Sequence, residues 1–169
     1  MASSKTTNTN RGFQHGFRSC RAKDEWLTPL RIVQSLGTFD LDPCAPVKCP
    51  WPIAAHHLTI NDNGLSAPWS GRVWLNPPYS NTKQWLERLA EHGNGIALVF
   101  ARTETLWFFE HVWKRASAVF FFKGRIAFYH IDGAVGGTAG APSCLVAYGN
   151  TNVERIMASG LTGKLIVLR

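Results

Sequence analysis

Apolar residues along this chain follow two spacings, one typical of helices and one typical of strands. Helical spacing predicts helices over residues 28–37, 81–92 and 103–114. Short apolar runs bounded by Gly, Pro or charged residues predict strands over residues 39–42, 72–76, 95–101, 117–122, 126–130 and 143–149. The final LIVLR (165–169) is a candidate for one more strand, at an edge of the sheet.

Each predicted helix has an apolar face that is expected to pack on the sheet. In the first helix Thr28 is the expected N-cap residue, and the face consists of Leu30, Val33 and Leu36. In the second helix the face consists of Trp85, Leu86 and Leu89. In the third it consists of Leu106, Phe109, Val112 and Trp113.

The order of these elements predicts the fold class. Strand, helix, strand, helix, strand and a hairpin-like return make an α/β protein of one compact domain, with a mainly parallel sheet and an antiparallel edge hairpin. In such sheets ligands bind beyond the carboxyl ends of the parallel strands. Three segments follow predicted strands at that rim: DPCA (42–45), NPPYS (76–80) and ARTE (101–104).

Composition places the protein in a broad class. No apolar run approaches the roughly 18 residues of a membrane span, and the first residues lack the apolar stretch of a signal peptide, so we expect a cytoplasmic protein without a membrane partner. The formal net charge is +7, and residues 1–23 contain five basic residues and no acidic one. We expect a disordered basic tail over 1–23, which either contacts phosphates or only increases solubility, followed by one domain over 24–169.

Two cysteines and two histidines lie within fourteen residues of each other, at Cys44, Cys49, His56 and His57, and are candidate ligands for a metal ion. Structural zinc sites have more closely spaced cysteine pairs and separated histidines. We therefore expect no metal, and free thiols in a reducing compartment.

The segment NPPYS has the chemistry of a site as well as of a turn. Pro77 and Pro78 restrict the backbone, so the Asn76 side chain and the Pro77 carbonyl are expected to be neighbouring acceptors, with the Tyr79 ring beside them. This arrangement suits a planar group that carries an amine with two hydrogens, such as a nucleobase. The alternative is a turn that ends the strand, with Tyr79 packed on the core.

With its neighbours, this motif resembles a known family, the small phage-type, Dam-like DNA N6-adenine methyltransferases, which are class I S-adenosylmethionine-dependent enzymes. The resemblance covers roughly residues 24–149. It rests on an ordered series of motifs: DEWLTP (24–29), FDLDPCA (39–45), NDNGL (61–65), VWLNPPYS (73–80), LVFARTETLWF (98–108), FFKGRIAF (121–128) and APSCLVAYG (141–149).

The resemblance implies a Rossmann-like mixed sheet and transfer of a methyl group from S-adenosylmethionine to the N6 amine of a DNA adenine that has left the duplex. The implied catalytic residues are Asn76, Pro77, Pro78 and Tyr79. Tyr79 would stack on one face of the base and Phe128 on the other, unless Phe128 is only a core residue. Related enzymes act on RNA bases or protein glutamine, and a DNA-binding relative without activity is a further alternative.

The resemblance also implies binding residues for the cofactor and for DNA. The implied cofactor residues are Trp26, Thr28, Pro29, Asp42, Pro43, Asp62 and Asn76. Asp62 would bind the adenine amine of the cofactor. The sequence departs from the family pattern because it has no glycine-rich GxG after the first strand and no acidic residue between Asp42 and Asp62 to hold the ribose. Arg102, Lys123 and Arg125 are weaker candidates for DNA contact, or for surface ion pairs.

Overall fold

The computed structural model describes residues 26–169, so the basic tail expected over 1–23 lies outside the described residues. The α-helices in this range are α1 (Leu30–Ser35), α2 (Thr82–His92) and α3 (Asn150–Ala158), with a 3₁₀ turn over Tyr79–Asn81 and a π-helical segment over Phe108–Trp113. The strands are β1 (Leu41–Asp42), β2 (His56–His57), β3 (Val73–Leu75), β4 (Gly95–Phe100), β5 (Ala118–Phe122), β6 (Ala127–Tyr129), β7 (Val135–Thr138), β8 (Ser143–Tyr148) and β9 (Gly163–Val167).

Within residues 26–169, seven strands form one sheet in the order β2-β1-β3-β4-β8-β5-β9. Neighbouring strands from β2 to β4 are parallel, and β8 is antiparallel to both β4 and β5. Five of the seven strands in this sheet therefore run in one direction, and the prediction of a mixed, mostly parallel α/β sheet is confirmed. LIVLR is confirmed as part of an edge strand, because β9 pairs antiparallel with β5 at the end of the sheet.

The predicted antiparallel edge is present, because β9 at the edge pairs antiparallel with β5, but the predicted hairpin does not form it. The antiparallel strand β8 lies inside the sheet, between β4 and β5, and not at its edge. The strand predicted over 126–130 leaves the main sheet and pairs as β6 with β7 in a separate two-stranded sheet. Because β5 already pairs with β8 on one side and β9 on the other, it has no edge left for β6 to join.

Buried side chains pack on both faces of the large sheet. On one face, residues of α1, α3 and β6 pack on Trp74, Leu98 and Leu145. On the other, residues of α2 and the π-helical segment pack on Leu75, Val99 and Val146. Neighbouring strand residues point to opposite faces, so β3 and β4 must be apolar almost throughout. This packing explains the continuous apolar run GIALVF.

The start of α1 differs from the prediction. Its N-cap residue is Pro29, without a capping side chain, and Thr28 is buried with no hydrogen-bond partner for its Oγ1 among the described residues. Leu30 is only half-buried, whereas Ile32 joins Val33 in the core. The helix begins one residue later than expected, so Pro29 takes the N-cap position and the Thr28 hydroxyl precedes it.

The face predicted for the third helix is confirmed for Val112 and Trp113, which pack in the core, but is wrong for its other two residues. Leu106 and Phe109 are 69% and 50% exposed, whereas Phe108 and His111 are buried. The segment Phe108–Trp113 is π-helical, with i to i+5 hydrogen bonds in place of the i to i+4 bonds of an α-helix. The wider turn changes which side chains face the sheet, and a face read at α-helical spacing therefore includes two exposed residues.

The helix α3 was not predicted. Its buried Asn152 donates a hydrogen bond to the Tyr148 carbonyl at 2.7 Å and accepts one from Arg72 Nε at 2.6 Å. The Arg72 guanidinium also donates to the carbonyl groups of Leu36 and Thr38, just after α1. This network ties the helices to the amino ends of the strands, at the opposite end of the sheet from NPPYS.

Candidate active site

A cavity of about 530 Å³ lies beyond the carboxyl ends of β1 and β3. Its wall is formed by side chains from residues 26–28, 42–53, 59–65 and 74–81, together with Trp85. Six residues predicted from the sequence contribute to this wall: Trp26, Thr28, Asp42, Pro43, Asn76 and Pro78. The structure therefore brings two of the three expected rim segments, DPCA and NPPYS, together around one space. No residue of the third segment, ARTE, lines it.

Asn76 lies directly after β3, on the cavity wall. Its side-chain Nδ2 donates a hydrogen bond to the backbone carbonyl of Trp26 at 2.7 Å. Its own backbone carbonyl accepts a hydrogen bond from the Cys44 thiol at 3.3 Å. Asn76 thus connects β3 with both the segment before α1 and the loop after β1.

Asp42 ends β1 and is a buried carboxyl group on the same wall, 3% exposed. Its Oδ1 accepts a hydrogen bond from the Cys44 backbone N–H at 3.1 Å. Burial raises the pKa of Asp42 to about 7, and the Cys44 N–H only partly offsets this effect. Asp42 is therefore poised to gain or lose a proton near neutral pH, and a cationic ligand in the cavity would favour its ionised form.

The loop over residues 59–65 forms another side of the cavity, but Asp62 is turned away from it. Thr59 and Asn63 line the wall, whereas Asp62 is exposed and its Oδ2 accepts hydrogen bonds from the Thr59 backbone N–H at 2.7 Å and from Thr59 Oγ1 at 2.8 Å. These bonds lower the pKa of Asp62. In this conformation the carboxylate stabilises its own turn, so the cofactor contact expected for Asp62 stays a prediction.

Gly64 shows why this loop needs a glycine. A Cβ atom at Gly64 would overlap the backbone carbonyl oxygen of Pro43, so the loop crosses the segment after β1 in direct contact. Trp69 holds the crossing by donating from its indole Nε1 to the Gly64 carbonyl at 2.8 Å. The Trp69 ring stacks on Trp85 of α2, with the ring centroids 6.3 Å apart.

Two tryptophans on the wall are supported by the β6–β7 hairpin. The Trp26 ring packs against His130, with centroids 4.8 Å apart, and Trp51 meets the Tyr129 ring edge-on at 5.7 Å. The backbones of Leu27 and Tyr129 exchange two hydrogen bonds of 2.9 Å. The hairpin therefore fixes the segment that carries Trp26.

The two residues predicted to stack on a base do not line the cavity. Tyr79 lies in the turn after the prolines, and its ring is parallel to that of Phe100 at a centroid distance of 4.0 Å. Phe128 is 3% exposed and packs in the core beside Trp74. The structure thus places Phe128 as a core residue, in agreement with the alternative role given for it above.

The other predicted site residues do not line the cavity. Pro29 and Pro77 are buried, but neither lines the cavity. The candidates for DNA contact, Arg102, Lys123 and Arg125, are all exposed. Their exposure is compatible with contact to a large ligand but does not assign one.

Three of the four candidate zinc ligands have other partners, including Cys44, whose thiol bonds to the Asn76 carbonyl. The Cys49 thiol donates to the Trp51 carbonyl at 2.7 Å, and His57 Nε2 accepts from the Ile53 N–H at 3.3 Å. Among residues 26–169, no group of three or more His, Cys, Asp or Glu side chains is arranged to hold a metal ion. In the same part of the chain, no helix is long and apolar enough to cross a membrane.

Sequence reasoning missed a substantial part of the cavity wall. The missed residues include Cys49, Trp51, Ile53 and Ile60. The signal available for Cys49 and Trp51 was the proline-rich loop over 43–52, which follows a strand at the rim and has to pass over the ligand-binding end of the sheet. Its prolines give no periodicity, so the side chains that turn inward are not evident from the sequence.

Comparison with known proteins identifies the family of the chain. A family model described as DNA N-6-adenine-methyltransferase (Dam) matches residues 18–156. The chain belongs to this family, as the sequence motifs predicted. It is also similar to a DNA N-6-adenine-methyltransferase of Escherichia phage T1, with 32% identity over 99 residues, and the match covers 52% of this chain and 40% of that protein. No solved structure matches the chain.

Proposed function

We propose that this protein transfers a methyl group from S-adenosylmethionine to the N6 amine of adenine in DNA, and that its sheet is the Rossmann-like sheet of class I methyltransferases. The observation that carries the proposal is the position of Asn76. In a chain of the Dam family, it lies after a central parallel strand, on the wall of a cavity that it shares with Asp42 and Trp26. The relative from phage T1 bears the name of the same activity.

The size and the lining of the cavity support S-adenosylmethionine as the methyl donor. Its volume of about 530 Å³ lies within the usual range for small-molecule sites. Apolar side chains such as Trp26 and Leu65 would cover the donor, and the Asp42 carboxyl would accept hydrogen bonds from its amino group. When bound, S-adenosylmethionine supplies a methyl group on a positively charged sulfur, which makes that methyl electrophilic.

The NPPYS segment would prepare the adenine amine. The N6 lone pair is normally delocalised into the ring and is a poor nucleophile. The side-chain oxygen of Asn76 and the carbonyl oxygen of Pro77 would each accept one N6 hydrogen, which favours a tetrahedral nitrogen with a localised lone pair. Positioning and electrostatics supply this activation, and no cysteine nucleophile is required.

Adenine reaches such a site only after it leaves the base stack. Tyr79, braced by Phe100, would then stack on the base next to Asn76. Phe128 is left out of the proposed pocket because its side chain is buried in the core. DNA phosphates would be contacted by exposed cations, for which the candidates are Arg102, Lys123 and Arg125. Such contacts position the DNA but do not read its sequence.

In the test, the purified full chain is incubated with methyl-labelled S-adenosylmethionine in three separate reactions, which contain DNA, RNA or protein as the substrate. Nucleosides and amino acids are then analysed by mass spectrometry. The proposal expects label in N6-methyladenine from DNA. Label found only in RNA or in protein glutamine would contradict it and favour another planar amine as the substrate.

A further inference from the structure

We infer that the backbone carbonyl of Trp26 determines which end of the Asn76 amide faces the substrate. Nδ2 of Asn76 lies 2.7 Å from that carbonyl oxygen. A carbonyl oxygen only accepts hydrogen bonds, so the nitrogen of the amide has to be on this side. The side-chain oxygen then points away from Trp26, and Asn76 is held as an acceptor for the ligand.

The Trp26 carbonyl is itself held in place. The next residue, Leu27, exchanges two backbone hydrogen bonds of 2.9 Å with Tyr129 in β6, and the Trp26 ring packs on His130. A carbonyl with a fixed backbone on its carboxyl side and a packed side chain cannot easily rotate to accept from another donor. The β6–β7 hairpin therefore acts on Asn76 through Trp26, and Trp26 is a positioning residue for the reaction.

The effect of this orientation on methyl transfer rests on the proposed function. An amine needs acceptors, and an amide that was free to flip would present its NH₂ group half of the time. The inference also means that Asn76 is more than an acceptor, because its Nδ2 has to donate to the Trp26 carbonyl at the same time. A carboxylate at position 76 would be a stronger acceptor for the amine, but it has no N–H group for the Trp26 carbonyl.

The substitution Asn76→Asp tests this difference because its charge depends on pH. An ionised carboxylate would place one oxygen against the Trp26 carbonyl oxygen, which raises the pKa of the new carboxyl group. Its protonated form donates an O–H to that carbonyl and keeps the other oxygen for the substrate. The variant is therefore expected to regain methyl transfer relative to wild type as the pH falls.

The rate of the variant is divided by the rate of wild type at each pH. This ratio corrects for titratable groups that both proteins share near the site, namely Asp42, Cys44 and His130. At about pH 8 we expect a loss of about 100-fold, the scale of a misplaced catalytic group, and at about pH 5.5 at least a tenfold recovery of the ratio. A ratio that is flat with pH, or that rises toward alkaline pH, would overturn the inference.

Thermal stability supplies a second measurement that does not depend on activity. A carboxyl group with a raised pKa in the folded state destabilises the fold as the pH rises above the unfolded-state pKa of about 4. The Tm of Asn76→Asp relative to wild type is therefore expected to fall from about pH 5.5 to about pH 8. A difference in Tm that does not change with pH contradicts the inference. If wild type does not methylate adenine at all, the proposed function fails while this measurement still decides the position of the amide.

Two neighbouring glycines in β7 provide a matched pair of variants. A Cβ at Gly136 would lie 2.7 Å from both the Trp26 ring and the Phe128 carbonyl oxygen, whereas a Cβ at Gly137 meets nothing within 4 Å. Gly136→Ala should displace Trp26 and lower kcat for methyl transfer by about tenfold or more, and Gly137→Ala should leave it unchanged. Equal activity of the two variants in a folded protein would contradict the role of Trp26.

Discussion

The ring of Tyr79 lies parallel to the ring of Phe100, with their centroids 4.0 Å apart and an angle of 8° between the planes. Phe100 is the last residue of β4, and Tyr79 opens the turn that follows β3 and the two prolines. Two neighbouring parallel strands are thus joined by a ring stack at the rim where the cavity lies. The stack fixes the plane in which Tyr79 can meet a base.

Replacing the ring of Tyr79 is expected to weaken the binding of the extruded adenine. Stacking of a base on an aromatic side chain contributes about 1–3 kcal/mol, so Tyr79→Ala should lower kcat/KM for methyl transfer by roughly 5-fold to 150-fold. Tyr79→Phe keeps the ring and serves as the control. If the alanine variant matched the phenylalanine variant, Tyr79 would have no stacking role.

The contact between Gly64 and Pro43 predicts a second effect, on the methyl donor. An alanine at position 64 would overlap the Pro43 carbonyl oxygen, so the loop would have to move away from the segment after β1. Such overpacking typically costs about 1–3 kcal/mol. Calorimetry should show weaker binding of S-adenosylmethionine to Gly64→Ala. Gly140→Ala, where a Cβ meets nothing within 4 Å, is the control, and equal affinities of the two variants would contradict this account of the loop.

Asp42 predicts a pH dependence of stability. Burial raises the pKa of Asp42 to about 7, so the carboxyl is protonated in both the folded and the unfolded state at low pH, and only the folded state resists its ionisation. This group therefore destabilises the ligand-free protein progressively as the pH rises from about 4 to above 7. Asp42→Asn keeps the shape and removes the charge, so its Tm should rise relative to wild type over this range. A constant difference in Tm would contradict the raised pKa.

The same residue predicts a pH dependence of donor binding. As Asp42 ionises, its attraction to the amino group of S-adenosylmethionine increases, and the affinity of wild type should rise from about pH 6 to about pH 8. Because a hydrogen bond to a charged group contributes about 1.5–3 kcal/mol, Asp42→Asn should bind at least about tenfold more weakly at the higher pH. Calorimetric titrations of both proteins check this. Equal affinities at the higher pH would place the amino group elsewhere.

The parts of the fold that the sequence predicted are those where burial controls the pattern. The helix α2 has one apolar face that packs on the sheet, and the strand β4 is apolar throughout because it lies inside the sheet. Both were predicted within a residue of their bounds. The strand β7 was missed because VGGT has two glycines and a single large apolar residue. The π-helical segment was misread because its hydrogen bonding is not encoded in a simple spacing.

The candidate site divides in the same way. Asn76 and Asp42 were predicted to lie together because the carboxyl ends of parallel strands meet at one rim, and the cavity contains both. The Asp62 carboxylate can accept hydrogen bonds either from Thr59 or from a ligand, and the sequence does not determine which of the two it binds. The burial of Phe128 depends on β6 leaving the main sheet, and that follows from long-range pairing of β5 with β8 and β9.

Methyl transfer by the Asn76→Ala variant tests the central claim most directly. The substitution removes the proposed acceptor and the bond to Trp26, but it removes no charge, so DNA binding should remain close to that of wild type. N6-methyladenine is then measured in DNA from cells that produce either protein at equal levels. The account predicts abundant N6-methyladenine with wild type and only background with Asn76→Ala, and equal amounts with the two proteins would contradict it.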